Sequence, residues 1–290
     1  MKKIVFPAGC LLVVGVAAAL AVRACADEEI YRGQSEFTKI YVSEDGEGIR
    51  TLSFERGGAR QSVVKLGDPD YLELPYAKAV HAGLAFCEQP ERVLVVGLGG
   101  GTIPQFLRRH FPEMTIDVVD IDPVVVRVAK KYFGFHEDEK MRAFVADGRR
   151  FIEKSDAVYD VIYLDAFSAD SVPYSLSTRE FLQAARKALK PGGVVVGNVW
   201  SSYSNDLYHS MIRTYQDTFE HVAVVDVRGV GNKIVIAVPR EKIAGKESVA
   251  EKAGAVALRA KFPYDLKELV EYGYQQLTEP DAEGEVLRDR

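Results

Sequence analysis

The sequence predicts an α/β fold: a doubly wound, mostly parallel sheet with an antiparallel edge strand, preceded by a small N-terminal β unit. Three observations predict it. An apolar strand, Val93-Leu94-Val95-Val96, runs straight into the glycine turn Gly97-Leu98-Gly99-Gly100-Gly101. A second strand follows about twenty residues later and ends on a carboxylate, Val118-Val119-Asp120. Beyond it, short apolar strands and helices alternate as far as Val238. Glycines let the backbone approach a ligand, and an acid at the tip of the next strand can bind ribose hydroxyls, so the pattern points to a nucleoside. A glycine turn alone can also serve close helix packing. Asp120 and the carboxylates after it favour the ligand.

The elements follow in order. Residues 1–26 carry Lys2 and Lys3, an apolar run over 4–22, then Ala24-Cys25-Ala26 before Asp27-Glu28-Glu29. This reads as a signal peptide cleaved after Ala26. The alternative is an uncleaved membrane tether through residues 4–22, since about 19 apolar residues just span a bilayer. Positive charge in front and acid behind place the globular part outside the cytoplasm, periplasmic in a bacterium; a cytoplasmic location is the second option. Residues 35–66 alternate apolar and polar positions between glycine turns and read as a small antiparallel β unit. Residues 71–86 have helical spacing.

The main domain, 70–240, then alternates. Strands are expected at 93–96, 115–120, 142–146, 161–164 and 194–199, with helices at 103–110, 123–133, 149–154 and 178–189 between them. Lys190-Pro191-Gly192-Gly193 stops the last of these helices. A helix over 207–219 leads to two final strands, 222–227 and 233–238, joined by a short turn that implies antiparallel pairing. The extension 241–290 is charged and helical, and its last dozen residues are expected to fray.

Composition narrows the function. A chain of 290 residues with 47% hydrophobic content buries one substantial core plus an accessory unit. A net charge of -5 with interspersed signs supplies no basic stripe, so nucleic acid is not an expected partner. Only Cys87 lies beyond residue 26, which leaves no internal disulfide. The five histidines are scattered without ligand spacing, and no metal is expected.

Ligands of open α/β sheets sit beyond the carboxyl ends of the strands, and three successive strands end here in Asp120, Asp147 and Asp165. Asp120 suits ribose and Asp147 an adenine amino group. Asp147-Gly148 is also simply a good turn. Asp165 follows Val161-Ile162-Tyr163-Leu164 and must stand at the rim of a buried sheet.

Residues from about 35 to 238 resemble the spermidine synthase family of polyamine aminopropyltransferases. The resemblance rests on the glycine turn, Val119-Asp120-Ile121-Asp122-Pro123, Ala146-Asp147-Gly148-Arg149, Tyr159-Asp160-Val161-Ile162-Tyr163-Leu164-Asp165 and Thr178-Arg179-Glu180-Phe181. It implies a Rossmann-like, methyltransferase-type domain that binds decarboxylated S-adenosylmethionine as co-substrate. Gly97, Gly99, Asp120, Asp147 and Gly148 would hold the nucleoside, and Asp165 would orient and deprotonate the attacking amine, for example putrescine. Gln61 and Tyr76 fall at substrate positions of the family, and Asp170 is the next acid in the loop after Asp165. Assembly through the β unit, as homodimers or tetramers, is also implied.

Three departures stand out. The family carries an acid at the position of Gly100, histidine and glutamate at those of Ala77 and Lys78, and a second aspartate at that of Ser168. A lysine near the acceptor would repel a diamine. Two alternatives therefore stand beside aminopropyl transfer: a methyltransferase using S-adenosylmethionine itself, and a non-catalytic exported binding protein that keeps the fold.

Overall fold

The computed structural model describes residues 27–87, 89–156, 158–167, 172–240 and 244–290. The expected signal peptide or tether, and Asp170, lie outside these residues.

Two sheets make the molecule. The first is a meander of four antiparallel strands: β1 (Glu28–Gln34), β2 (Lys39–Glu44), β3 (Ile49–Ser53) and β4 (Arg60–Lys65). Its strand β1 precedes the alternating pattern that begins near Thr38 in the sequence. The second sheet has eight strands. Its parallel part is β5 (Arg92–Val96), β6 (Thr115–Asp120), β7 (Met141–Val145), β8 (Tyr159–Leu164) and β9 (Leu189–Trp200). Its antiparallel part is β10 (His221–Asp226), β11 (Asn232–Val238) and β12 (Tyr274–Leu277). The order is β12-β10-β11-β9-β8-β5-β6-β7. The chain runs outward from β5 to β7, then returns to β8 on the other side of β5. That reversal creates the crevice in which such sheets bind ligands.

Burial on both faces explains the continuous apolar strands. Val93 and Val95 of β5 enter one core layer, while Leu94 and Val96 enter the opposite one. Helices α1 (Pro75–Ala79), α2 (Thr102–His110), α3 (Pro123–Tyr132), α4 (Gly148–Lys154), α5 (Arg179–Lys187), α6 (Tyr208–Thr218), α7 (Lys246–Ala260) and α8 (Leu266–Gly273) complete the layers. The helical stretch expected over 71–86 is shorter: Pro75 occupies the first turn of α1, and a 3-10 segment, Val80–Phe86, continues it. Lys190 to Gly193 do not separate helix from strand. They form a bulge within β9, whose pairing with β8 jumps from Tyr159↔Leu189 to Val161↔Val194.

The meander is fastened over the crevice. Ile40, Val42, Leu52 and Val64 pack against Val125, Val128 and Phe133, on and just after α3. The C-terminus is not frayed as expected. β12 adds to the sheet through β10, and Leu287 is buried between α5 and α6, donating its N–H to Thr214 Oγ1 at 2.9 Å and accepting from Arg179 N at 2.8 Å.

Candidate active site

A cavity of about 310 Å³ opens at the carboxyl ends of β5, β6 and β8, roofed by the meander. Its lining includes Gly97, Gly99, Asp120, Asp147, Gly148, Asp165, Gln61 and Tyr76. All the expected site residues within the described chain are thus brought to one space.

Close approach dictates the glycines. Gly97 has φ +97°, and a Cβ there would sit 2.5 Å from the carbonyl oxygen of Asp165. At Gly148 a Cβ would lie 2.6 Å from Val96 Cγ1, so the start of α4 could not rest on β5. The turn's N–H groups are largely spent within the protein. Gly97 donates to Val119 O, Leu98 to Asp120 Oδ2, Gly100 to Ser62 Oγ and Gly101 to Leu98 O, each at 2.8 Å.

Each strand-end aspartate is held differently. Asp120 accepts from Leu98 N and Asp122 N, both at 2.8 Å, and burial raises its carboxyl above the ordinary range against those bonds. Asp147 caps α4 by accepting from Arg150 N at 2.9 Å, so its turn role and its cavity position coexist. Asp165 is desolvated by the surrounding protein, which pushes its carboxyl up to about 7, while the hydrogen bond from Asn198 pulls it down. Asn198 Nδ2 donates to Asp165 Oδ1 at 2.9 Å, and Asn232 Nδ2 donates to Asn198 Oδ1 at 2.9 Å. Tyr76 donates its hydroxyl to the Gln61 carbonyl at 2.9 Å, and burial beside Asp165 holds its proton firmly.

A second cavity of about 360 Å³ adjoins the first, sharing Gln61, Tyr76 and Phe167. Asn198, Asn232 and Trp200 line it. Phe167 and Trp200 stand side by side with ring centroids 6.1 Å apart. Sequence reasoning missed Asn198, Asn232 and Ser62. An asparagine inside the apolar run Val194-Val195-Val196-Gly197-Asn198-Val199, on the strand next to Asp165, was the available signal. Lys78 is no threat to a cationic ligand: its ammonium stands 6.0 Å from the centre of the Tyr264 ring and lines neither cavity. Gly100 could not carry the family's acid without repacking, since a Cβ there would lie 2.8 Å from Phe133 and 2.9 Å from Ser62 Cβ.

Sheet order, switch-point cavity and strand-end acids define a Rossmann-like, methyltransferase-type domain. The sequence pattern of the spermine/spermidine synthase domain matches residues 75–241, and the chain belongs to that family. A polyamine aminopropyltransferase of Vibrio vulnificus is 33% identical over 235 residues, 79% of this chain and 77% of its own length. The human eEF1A lysine and N-terminal methyltransferase is 33% identical over 201 residues, 62% of this chain but only 29% of its own length. Among solved structures, human methyltransferase-like protein 13 in complex with SAH superposes with a TM-score of 0.59 at 31% identity, covering 66% of this chain and 94% of that one. A probable spermidine synthase from Corynebacterium glutamicum reaches a TM-score of 0.71 at 23% identity over 90% of this chain and 96% of its own, a likeness of fold.

Proposed function

We infer that this chain transfers an aminopropyl group from decarboxylated S-adenosylmethionine to an amine. One observation carries the reading: the first cavity is lined by Asp120, Asp122, Asp147 and Asp165 and, among the described residues, by no lysine, arginine or histidine. The glycine turn has most of its N–H groups engaged, so the α-carboxylate of intact S-adenosylmethionine has no evident partner, while a sulfonium that also carries an ammonium meets acid. Gly97, Gly99 and Gly148 admit the nucleoside, Asp120 holds its ribose and Asp147 its adenine. Gln61 and Tyr76 border the acceptor.

Asp165 takes a proton from the attacking amine. An ordinary amine is protonated at neutral pH, and a carboxyl poised near 7 is a competent base there. The amine nitrogen then forms the new C–N bond as the C–S bond breaks, and the bonding pair stays on sulfur as 5′-methylthioadenosine. The dry ring of Phe167 disfavours the charged sulfonium more than the neutral thioether.

Methyl transfer is the second reading. Gly100, closed in by Phe133 and Ser62, leaves the donor's ammonium without the acid that the family places there. Calorimetric titration with the decarboxylated and intact cofactors decides. Tighter binding of the decarboxylated form is expected; preference for S-adenosylmethionine moves the assignment to methyl transfer, and binding of neither favours a non-catalytic protein. The location remains part of the proposal. Residues 1–26 export or tether the chain, and a reporter fused to them that stays cytosolic refutes this.

A further inference from the structure

Resting on the transferase reading above, we propose that the acceptor is a primary monoamine with an apolar or aromatic body rather than a diamine. The second cavity adjoins the first and takes in Asn198, the hydrogen-bond partner of Asp165. Its surface is made by Leu74, Pro75, Tyr76, Phe167, Trp200 and Val230, with amides from Gln61, Asn198 and Asn232. Among the described residues no aspartate or glutamate lines it, and its single charged lining residue is a cation, Arg60. The ion-pair partner of Arg60, Glu73, lies outside the lining and is already committed, also accepting from the Tyr71 hydroxyl at 2.6 Å.

A diamine enters with two ammonium groups. Asp165 can relieve only the one that reacts. The other must shed its water inside a wall of rings and amides beside a guanidinium. Desolvating an ammonium without a carboxylate costs more than a cation–π contact with Trp200 returns. A monoamine avoids that cost, and its body gains by covering the apolar wall. The amides of Asn198 and Asn232 serve the base rather than the ligand: Asn198 spends its Nδ2 on Asp165 and its Oδ1 accepts from Asn232 Nδ2.

The test titrates the full chain, loaded with 5′-methylthioadenosine, with phenethylamine and with putrescine. Phenethylamine is expected to bind about tenfold tighter or better. In Val230→Asp, where Val230 stands at the rim with 42% exposure, the added carboxylate is expected to bring putrescine affinity up about tenfold. Putrescine binding as tightly as phenethylamine in the unmodified chain overturns the proposal, as does binding of neither amine. Putrescine preference that vanishes in Asp170→Asn overturns it too, by locating the missing acid in the loop after Phe167. A chain that binds decarboxylated S-adenosylmethionine yet prefers putrescine loses this proposal alone. One that refuses that cofactor loses the transferase reading.

Discussion

The cavity in front of Asp165 and the cavity behind it share Gln61, Tyr76 and Phe167, yet their remaining walls are opposite in chemistry. Four aspartates, three of them fixed by backbone N–H groups or helix capping, surround the first. Rings, neutral amides and one arginine surround the second. Asp165 stands at the border, and its partner Asn198 belongs to the far side. The contrast explains why the Asp165 carboxyl is poised: it is close enough to apolar protein to hold a proton near neutrality, yet tied to an amide that limits the shift. A site with acid on both sides would serve a polycation throughout its length. On the proposed reading, this one would divide the work between a cationic donor and an acceptor that needs only one charge recognised.

The largest effect comes from removing the border residue. Asp165→Asn is expected to lower turnover by about 10³-fold, the middle of the range for a positioned base. The same substitution should stabilise the fold. A carboxyl at about 7 in the native state and about 4 when unfolded binds its proton more tightly when folded, so stability is lost as pH rises through 7. The variant should therefore gain on the order of 2–4 kcal/mol over the parent at pH 8, with the gap closing towards pH 4. Denaturant melts at both pH values check this. Equal stability at pH 8 would mean that Asp165 is solvated and not the poised group described here.

Asn198→Leu sharpens the contrast by severing the tie across the border. Without the lowering hydrogen bond, the Asp165 carboxyl moves above 7, and the acidic limb of the pH–rate profile should follow it upward by about one unit. Activity at pH 7 would fall about fivefold and recover at higher pH. A variant that loses activity equally at every pH assigns Asn198 to packing alone.

Much of the first cavity was legible in the sequence because its carboxylates are local events. Each of Asp120, Asp147 and Asp165 closes or closely follows a strand, and the strand is readable as a short apolar run. The second cavity was not legible in that way. It is assembled from Gln61 on β4, Tyr76 on α1, Asn198 on β9 and Asn232 on β11, segments that only the tertiary fold brings together. Gln61 and Tyr76 came from family resemblance, whereas Asn198 and Asn232 carry no local signature beyond polarity in an apolar run. The peripheral strands were hidden for a related reason. β1, Glu-Glu-Ile-Tyr-Arg-Gly-Gln, and β12, Tyr-Gln-Gln-Leu, are too polar to announce burial, and the pairing partner decides their conformation. The bulge in β9 likewise uses a Pro-Gly-Gly sequence that ordinarily ends an element, and Gly192 absorbs it at φ +85°.

The smallest effect tests whether the C-terminal tail supports only one of the two cavities. Asp289 receives two hydrogen bonds from Arg149, at 2.6 and 2.5 Å, and one from Thr178 Oγ1 at 2.8 Å. Arg149 follows Gly148, which lines the first cavity, and the Tyr174 hydroxyl, beside the wall residues Pro173 and Ser175, donates to Arg288 O at 3.0 Å. Among the described residues, none of the tail lines the second cavity. The Arg149–Asp289 pair is partly exposed, so Asp289→Ala should cost only about 0.5–1 kcal/mol of stability. Nucleoside affinity should fall by no more than about threefold, as Arg149 loses the anchor that steadies the start of α4. Amine affinity of the loaded chain should not change. Equal losses for nucleoside and amine would mean that the tail braces the whole crevice, and that the two cavities respond to strain as one unit despite their different linings.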